Sequence, residues 1–395
     1  MRVLAVLLLL GLLSGCGSDP SPIEPPMTLQ PLVSKIRLKQ SWATDIGNGV
    51  AHQHLRFQPV WENNTYYTVD YSGNLYAAEV NSGGIIWERN YKAHISSGLS
   101  ETAQALFFAT EDGLLFSVSK SNGAINWKTQ LTSEILSKVM VTAGAVVART
   151  IDGKVTKLDE KTGKILWVFA GTAPALSLRG TSRPVQYKNL ILVGNDFGKV
   201  IALETDSGKK IWEKIIASPR GRTEIERIVD IDANLIVIND LLFVVTYQGK
   251  IACLHTETGR VIWTRDFSAY SGMLISAAKL YVSDSSGYVW ALEPRTGATI
   301  WKQDKLLRRS LVRPVAHQKY IVVADFNGFI HWLDKENGEL VARTRLSDED
   351  YQNVDVEDDL EYDRKNNFLA APMVRGDKLI ATTRFGYTSL YSIIQ

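Results

Sequence analysis

Cysteine is almost missing from this chain: its 395 residues hold two, Cys16 and Cys253. A framework of disulfides is therefore excluded, and a packed core must hold the fold. Long apolar runs are scarce as well. The run from Val3 to Leu13 is about ten residues long, half of the roughly 20 that a membrane-spanning helix needs. Neither sign of charge dominates, with 44 Lys and Arg against 42 Asp and Glu. That balance argues against nucleic acid as a bulk partner. The six histidines are His52, His54, His94, His255, His317 and His331. His52 and His54 would share one strand face, the one arrangement here that could begin a metal site. No cysteine or carboxylate with ligand spacing joins them, so no metal is expected. Nor is there a serine-centred elbow, a phosphate loop or a His-Glu-x-x-His motif to carry catalysis.

What is present begins with a leader. Residues 1–15 place one positive charge, Arg2, before the short apolar run, the layout of a secretory signal peptide. It ends in Leu13-Ser14-Gly15-Cys16, a lipobox, whose thiol can take a diacylglyceryl thioether. Cys16 is thus the expected lipidation site. Residues 16–38 read as a proline-rich tether, since five of the twelve prolines fall between Pro20 and Pro31. At about 3.1 Å per residue, Gly17 to Lys35 would reach roughly 60 Å. The similarity of Gly17, after the cysteine, to Gram-negative lipoproteins implies the outer membrane.

Residues 39–395 are governed by a repeat. Glycines recur at Gly73, Gly113, Gly153, Gly198, Gly249, Gly287 and Gly328, each with a second glycine ten residues on, Gly83 to Gly338. Fourteen after each first glycine stand Trp87, Trp127, Trp167, Trp212, Trp263 and Trp301, and in the seventh copy Ala342. Each copy contains two turns and two apolar strands, preceded by a third apolar stretch, with room for a fourth strand. Tryptophan spacings of 38 to 51 residues suit a propeller blade, and no helical period is present. An eighth copy starts at Gly386 but the chain stops at Gln395, and its outer strand is supplied by Lys39-Gln40-Ser41-Trp42. The expectation is an all-β, eight-bladed β-propeller of four-stranded antiparallel blades, closed by pairing of the N- and C-terminal strands. The tryptophans, Trp42 included, are assigned to packing between blades.

Two features stand outside the repeat. Residues 348–363 carry nine carboxylates and no base, and without ordered oxygen spacing or a central glycine they read as a solvated loop. The segments Leu176-Ser177-Leu178-Arg179-Gly180-Thr181 and Gly221 to Asp232 lengthen two connections, where propellers usually place function. By residue type alone, the leucines could equally pack inside the fourth blade with the charges solvated.

The repeat resembles that of pyrroloquinoline-quinone dehydrogenases. Those enzymes hold the cofactor under adjacent cysteines beside calcium, and here only Cys253 remains in the body, so no cofactor and no enzyme activity are expected. The lipobox, tether, eight repeats and two loop segments together resemble the BamB family, lipoprotein scaffolds of the outer-membrane β-barrel assembly machinery. The resemblance runs from Cys16 to the C-terminus. It implies a lipid-anchored protein facing the periplasm that docks on the POTRA domains of BamA, beside other assembly subunits and unfolded barrel precursors. Carried over by motif, the contact residues would be Leu176, Leu178, Arg179, Asp230 and Asp232. The acidic insertion departs from the family's usual short loop. A quinone-dependent periplasmic dehydrogenase, or a propeller binding a soluble ligand over its channel, are the competing readings.

Overall fold

The computed structural model describes residues 24–174, 176–178, 182–346 and 367–394. The signal peptide, Cys16, Arg179 and the acidic insertion lie outside them. The described residues form eight four-stranded antiparallel sheets. Seven blades use four consecutive strands each, as in blade four, with Val185–Tyr187, Leu190–Gly194, Lys199–Glu204 and Lys210–Ile215. The short first strands of neighbouring blades approach one another around the axis. Blade eight takes Met373–Arg375, Lys378–Thr382 and Tyr387–Ile394 from one end of the chain and Arg37–Asp45 from the other. Lys39 pairs with Ser392 and Trp42 with Leu390, which is the closure expected from the truncated eighth repeat. A closed ring leaves no blade without neighbours.

The repeat spacing has a direct packing meaning. Each fourth strand carries a bulge just ahead of its tryptophan, as between Ala202 and Leu203 opposite Trp212 and Lys210. A bulge adds twist and re-aims the next side chain. The indole then lies against the second glycine of the following blade. A Cβ placed on Gly208 would sit 2.6 Å from Trp167, and one on Gly163 2.5 Å from Trp127. Both glycines also have φ of +70°, which L side chains resist. The indole N–H usually donates to the carbonyl three residues before that glycine: Trp42 to Val80, Trp127 to Glu160, Trp167 to Thr205 and Trp301 to Lys335, all at 2.8–3.0 Å.

Ala342 breaks this rule where the chain itself breaks. Blade seven faces blade eight, whose last two strands come from opposite termini and have no turn between them, hence no glycine to receive an indole. The bulk moves across the ladder instead: Ala342 pairs with Trp332, which is fully buried and donates to His317 Nδ1 at 3.2 Å.

Two expectations are corrected. His52 and His54 lie in the irregular segment before Val60–Glu62, not on one strand face. The segment read as a free tether is docked from Glu24 onward. Met27 N donates to Leu307 O at 3.0 Å and Lys35 N to Val341 O at 2.7 Å, while Arg309 Nη1 reaches Met27 O at 3.2 Å. Leu29 and Leu32 pack on the blade six–seven core. Prolines suited to an extended chain thus form a strap along blade seven, and only about 20 Å of chain separates Gly17 from Glu24 at 3.1 Å per residue.

Candidate interaction site on the loop face

An up-and-down blade sends its second-to-third and last-to-next connections to the same end of the ring. Residues 170–184, joining blades three and four, and 216–235, joining blades four and five, are both of this kind. The structure brings four of the five expected residues together there, but in two different roles. Leu176 and Leu178 are 47% and 40% exposed. Asp230 and Asp232 are buried beneath them, at 0% and 5%. Arg179 lies outside the described residues.

Asp230 ties the two loops together. Its Oδ2 accepts the backbone N–H of Leu178, and its own carbonyl accepts Tyr247 N at 3.0 Å. Ile231 N donates to Asn195 O at 3.2 Å, and Arg183 N to Asn234 Oδ1 at 2.9 Å. Among the described residues Asp230 Oδ1 is buried without a hydrogen bond. Burial first, then the neighbouring Asp196 carboxylate, push the Asp230 carboxyl up to about 7. Asp196 itself is held by the buried guanidinium of Arg149. Asp232 pairs with Arg56 at 2.9 Å, and Arg56 also donates to Tyr270 O at 2.9 Å and lies over the Tyr270 ring.

Sequence reasoning missed Arg149, Asp196 and Arg56. The available signal was an arginine ending an otherwise apolar strand, Ala145–Arg149, since a buried cation requires a carboxylate nearby. In the second loop, Glu226 Oε2 accepts the N–H groups of Arg222 and Thr223 while Thr223 Oγ1 accepts Glu226 N. This reciprocal cap props up Ile225, 68% exposed. Beside Phe169 and Phe197, a groove of about 290 Å³ opens between blades three and four. Among the described residues no group of three His, Cys, Asp or Glu side chains could hold a metal ion.

The molecule is therefore an eight-bladed propeller in which two long connections between blades three, four and five meet at one end of the ring. A family model for outer membrane protein assembly factor BamB matches residues 72–303. The chain belongs to the BamB family. Its curated relatives include the outer membrane protein assembly factor BamB of Kangiella koreensis, 39% identical over 98% of this chain and 95% of that one. The protein of the same name from Pseudomonas aeruginosa is 43% identical over 84% and 87%. The crystal structure of BamB from Moraxella catarrhalis superposes with a TM-score of 0.75 at 23% identity, covering 89% of this chain and 100% of that one. A quinohemoprotein alcohol dehydrogenase from Comamonas testosteroni shares the fold at a TM-score of 0.69 and 12% identity, over 92% and 78%. At that identity the likeness extends to the propeller alone.

Proposed function

We propose that this protein is a non-catalytic scaffold of the outer-membrane β-barrel assembly machinery, docking through the loop face of blades three to five onto the POTRA domains of BamA. The observation that carries the site is the division of labour between the two loops. Leu176 and Leu178 project to solvent, and the buried Asp230 fixes the backbone between them. The leucines are then the contacts, joined by Arg179, and Asp230 and Asp232 are positioning residues that hold the surface in its binding shape. Pre-formed loops bind without paying an ordering cost, which is what a docking scaffold needs.

In this reading Cys16 carries lipid at the periplasmic side of the outer membrane. The strap along blade seven shortens the leash, so the ring is held near the membrane in a restricted set of orientations. Docking on BamA would keep incoming barrel precursors at high local concentration. The outer strands offer them unpaired edges carrying exposed residues such as Ile86, Ile125 and Ile211.

The test is co-purification from mildly solubilised membranes. The double variant Leu176→Ala/Leu178→Ala should lose BamA while keeping its melting temperature, because exposed side chains contribute little to stability. Undiminished recovery of BamA would place the interface elsewhere.

A further inference from the structure

The eight blades each contribute one residue at the same place, four positions back from the end of the first strand (three in blade two, whose first strand is the shortest), where the chain enters the ring. In three blades this residue is a cation: Lys138, Arg183 and Arg313, ahead of Met140–Thr142, Val185–Tyr187 and Val315–His317. In two it is a neutral polar residue, Gln58 or Asn234, and in the other three it is small, Gly98, Gly272 or Ala371. No blade places a carboxylate there. The small residues have a use. A Cβ on Gly98 would meet Lys138 Cγ at 3.3 Å, and one on Gly272 would meet Arg313 Cδ at 2.8 Å. Gly272 thus clears the space that the Arg313 side chain occupies, whereas at Gly98 the backbone N of Gln58, at 2.8 Å, is nearer than Lys138.

Five of these positions, Gln58, Lys138, Asn234, Arg313 and Ala371, line a cavity of about 400 Å³ at the mouth of the channel together with Arg56 and Asp232, and Arg183 stands outside that lining within electrostatic reach of Lys138 and Arg313. Asp232 is already paired with Arg56, and Glu101 with Lys120. Among the described residues no carboxylate pairs with Arg183 or Arg313, and the Lys138 ammonium donates to Pro59 O at 3.5 Å. The cations feel one another across the ring. Burial first, then Arg183, bring Lys138 down to about 7, with Glu101 opposing and Arg313 adding to the fall, and Arg183 adds to the effect of burial in lowering Arg313. Like charges only partly offset and converging on one cavity cost stability unless an anion joins them.

We propose that this ring is a binding site for a small multivalent oxyanion bearing carboxylate or phosphate groups. Lys138 and Arg313, on separate blades, would grip separate anionic groups of one ligand, Arg183 would add to the positive field, and the apolar wall of Leu136, Leu311 and Phe368 would cover its carbon frame. The site shares Asp232 and Asn234 with the loops of the proposed docking surface but does not use Leu176 or Leu178.

The test is isothermal titration of the full chain with citrate, inorganic phosphate and a hexaglutamate peptide, against the variant Lys138→Gln/Arg183→Gln/Arg313→Gln. One equivalent of at least one probe should bind, and the variant should bind it at least about tenfold more weakly. The bound probe should raise the melting temperature of the natural protein and not that of the variant. Citrate or phosphate binding alone would identify a free anion as ligand; preference for hexaglutamate would identify carboxylates borne on a peptide. Equal binding by both proteins, or none by any probe at millimolar concentration, would overturn the proposal. Relief of repulsion predicts that the variant folds at least as stably as the natural chain, and a variant melting lower without ligand would also count against it. The Leu176→Ala/Leu178→Ala protein should retain anion binding, so the two proposals fail separately.

Discussion

At the joint between blades three and four, a tryptophan, a glycine and a carbonyl repeat what stands at other joints around the ring. On the loop face of the same blades, Leu176, Leu178, Asp230 and Asp232 occur at no fixed interval. The joint is local: a bulge, an indole and the blade it leans on are set by spacing within one repeat. The loop site is the opposite, since Leu178 and Asp230 are 52 residues apart and meet only because two long connections fold over each other. Repetition here secures a framework, and departures from it mark what the framework carries.

The comparison can be broken most severely at the framework's closure. Deleting Lys39 to Asp45 removes the strand that pairs with Tyr387–Ile394 and takes Trp42 away from Gly83. We expect loss of the cooperative melting transition or conversion to oligomers, read by calorimetry and size-exclusion chromatography. A monomer that melts as before would mean that the ring does not depend on closure.

A single joint is the next largest target. Trp167→Ala should cost about 3–5 kcal/mol in urea unfolding, the range for emptying a large packed side chain. The same protein, while folded, should still capture BamA, because the indole of Trp167 packs on the Gly208 turn, at the end of the blade opposite the loops. If capture fell with little loss of stability, joint and site would be one unit.

Asp230 gives a smaller effect with a definite sign. Its carboxyl is raised from 3.8 to about 7 in the folded protein, chiefly by burial. The folded state therefore holds the proton more tightly than the unfolded chain. The stabilisation is complete below about pH 4 and is lost as pH rises through about 7. Relative to Asp230→Asn, which cannot titrate, the natural protein should lose on the order of 2–4 kcal/mol between pH 5 and pH 8. Denaturant unfolding at both pH values measures that difference, and a difference that ignores pH would show the carboxyl charged throughout. Other groups, Lys138 among them, are shared by both proteins and cancel.

These contrasts also explain what could be read from the residues alone. Blade count, strand order, the tryptophan strands and even the closure follow from intervals of ten and fourteen, because each interval is enforced by one close contact; the bulges ahead of the tryptophans were not read from them. Trp332 was harder to see: nothing in the spacing says that bulk lost at Ala342 returns on the facing strand. The docked strap was misread for a related reason, as its prolines suit an extended chain whether free or bound, and only Leu29, Leu32 and the arginines of blade seven decide between them. At the loop site, period-two spacing grouped the leucines and the aspartates correctly as pairs. It could not show that one pair faces water and the other is buried.

The smallest effect tests whether all joints are equivalent. The indole of Trp212 packs on Gly259 as its counterparts do, with 2.7 Å to a placed Cβ. Its Nε1, however, is buried without an acceptor among the described residues, where the spacing would offer the carbonyl of Thr256. This joint links blades four and five, the pair spanned by the longest described connection. Replacing Trp167 with Phe removes ring area and the bond to Thr205. Replacing Trp212 with Phe removes similar area but no bond, and it also removes an unsatisfied buried donor. Trp167→Phe should therefore cost about 1 kcal/mol more than Trp212→Phe in urea unfolding, the usual net value of one hydrogen bond. Equal costs would mean that the indole bond adds nothing to a joint, and that glycine and ring area alone hold neighbouring blades together.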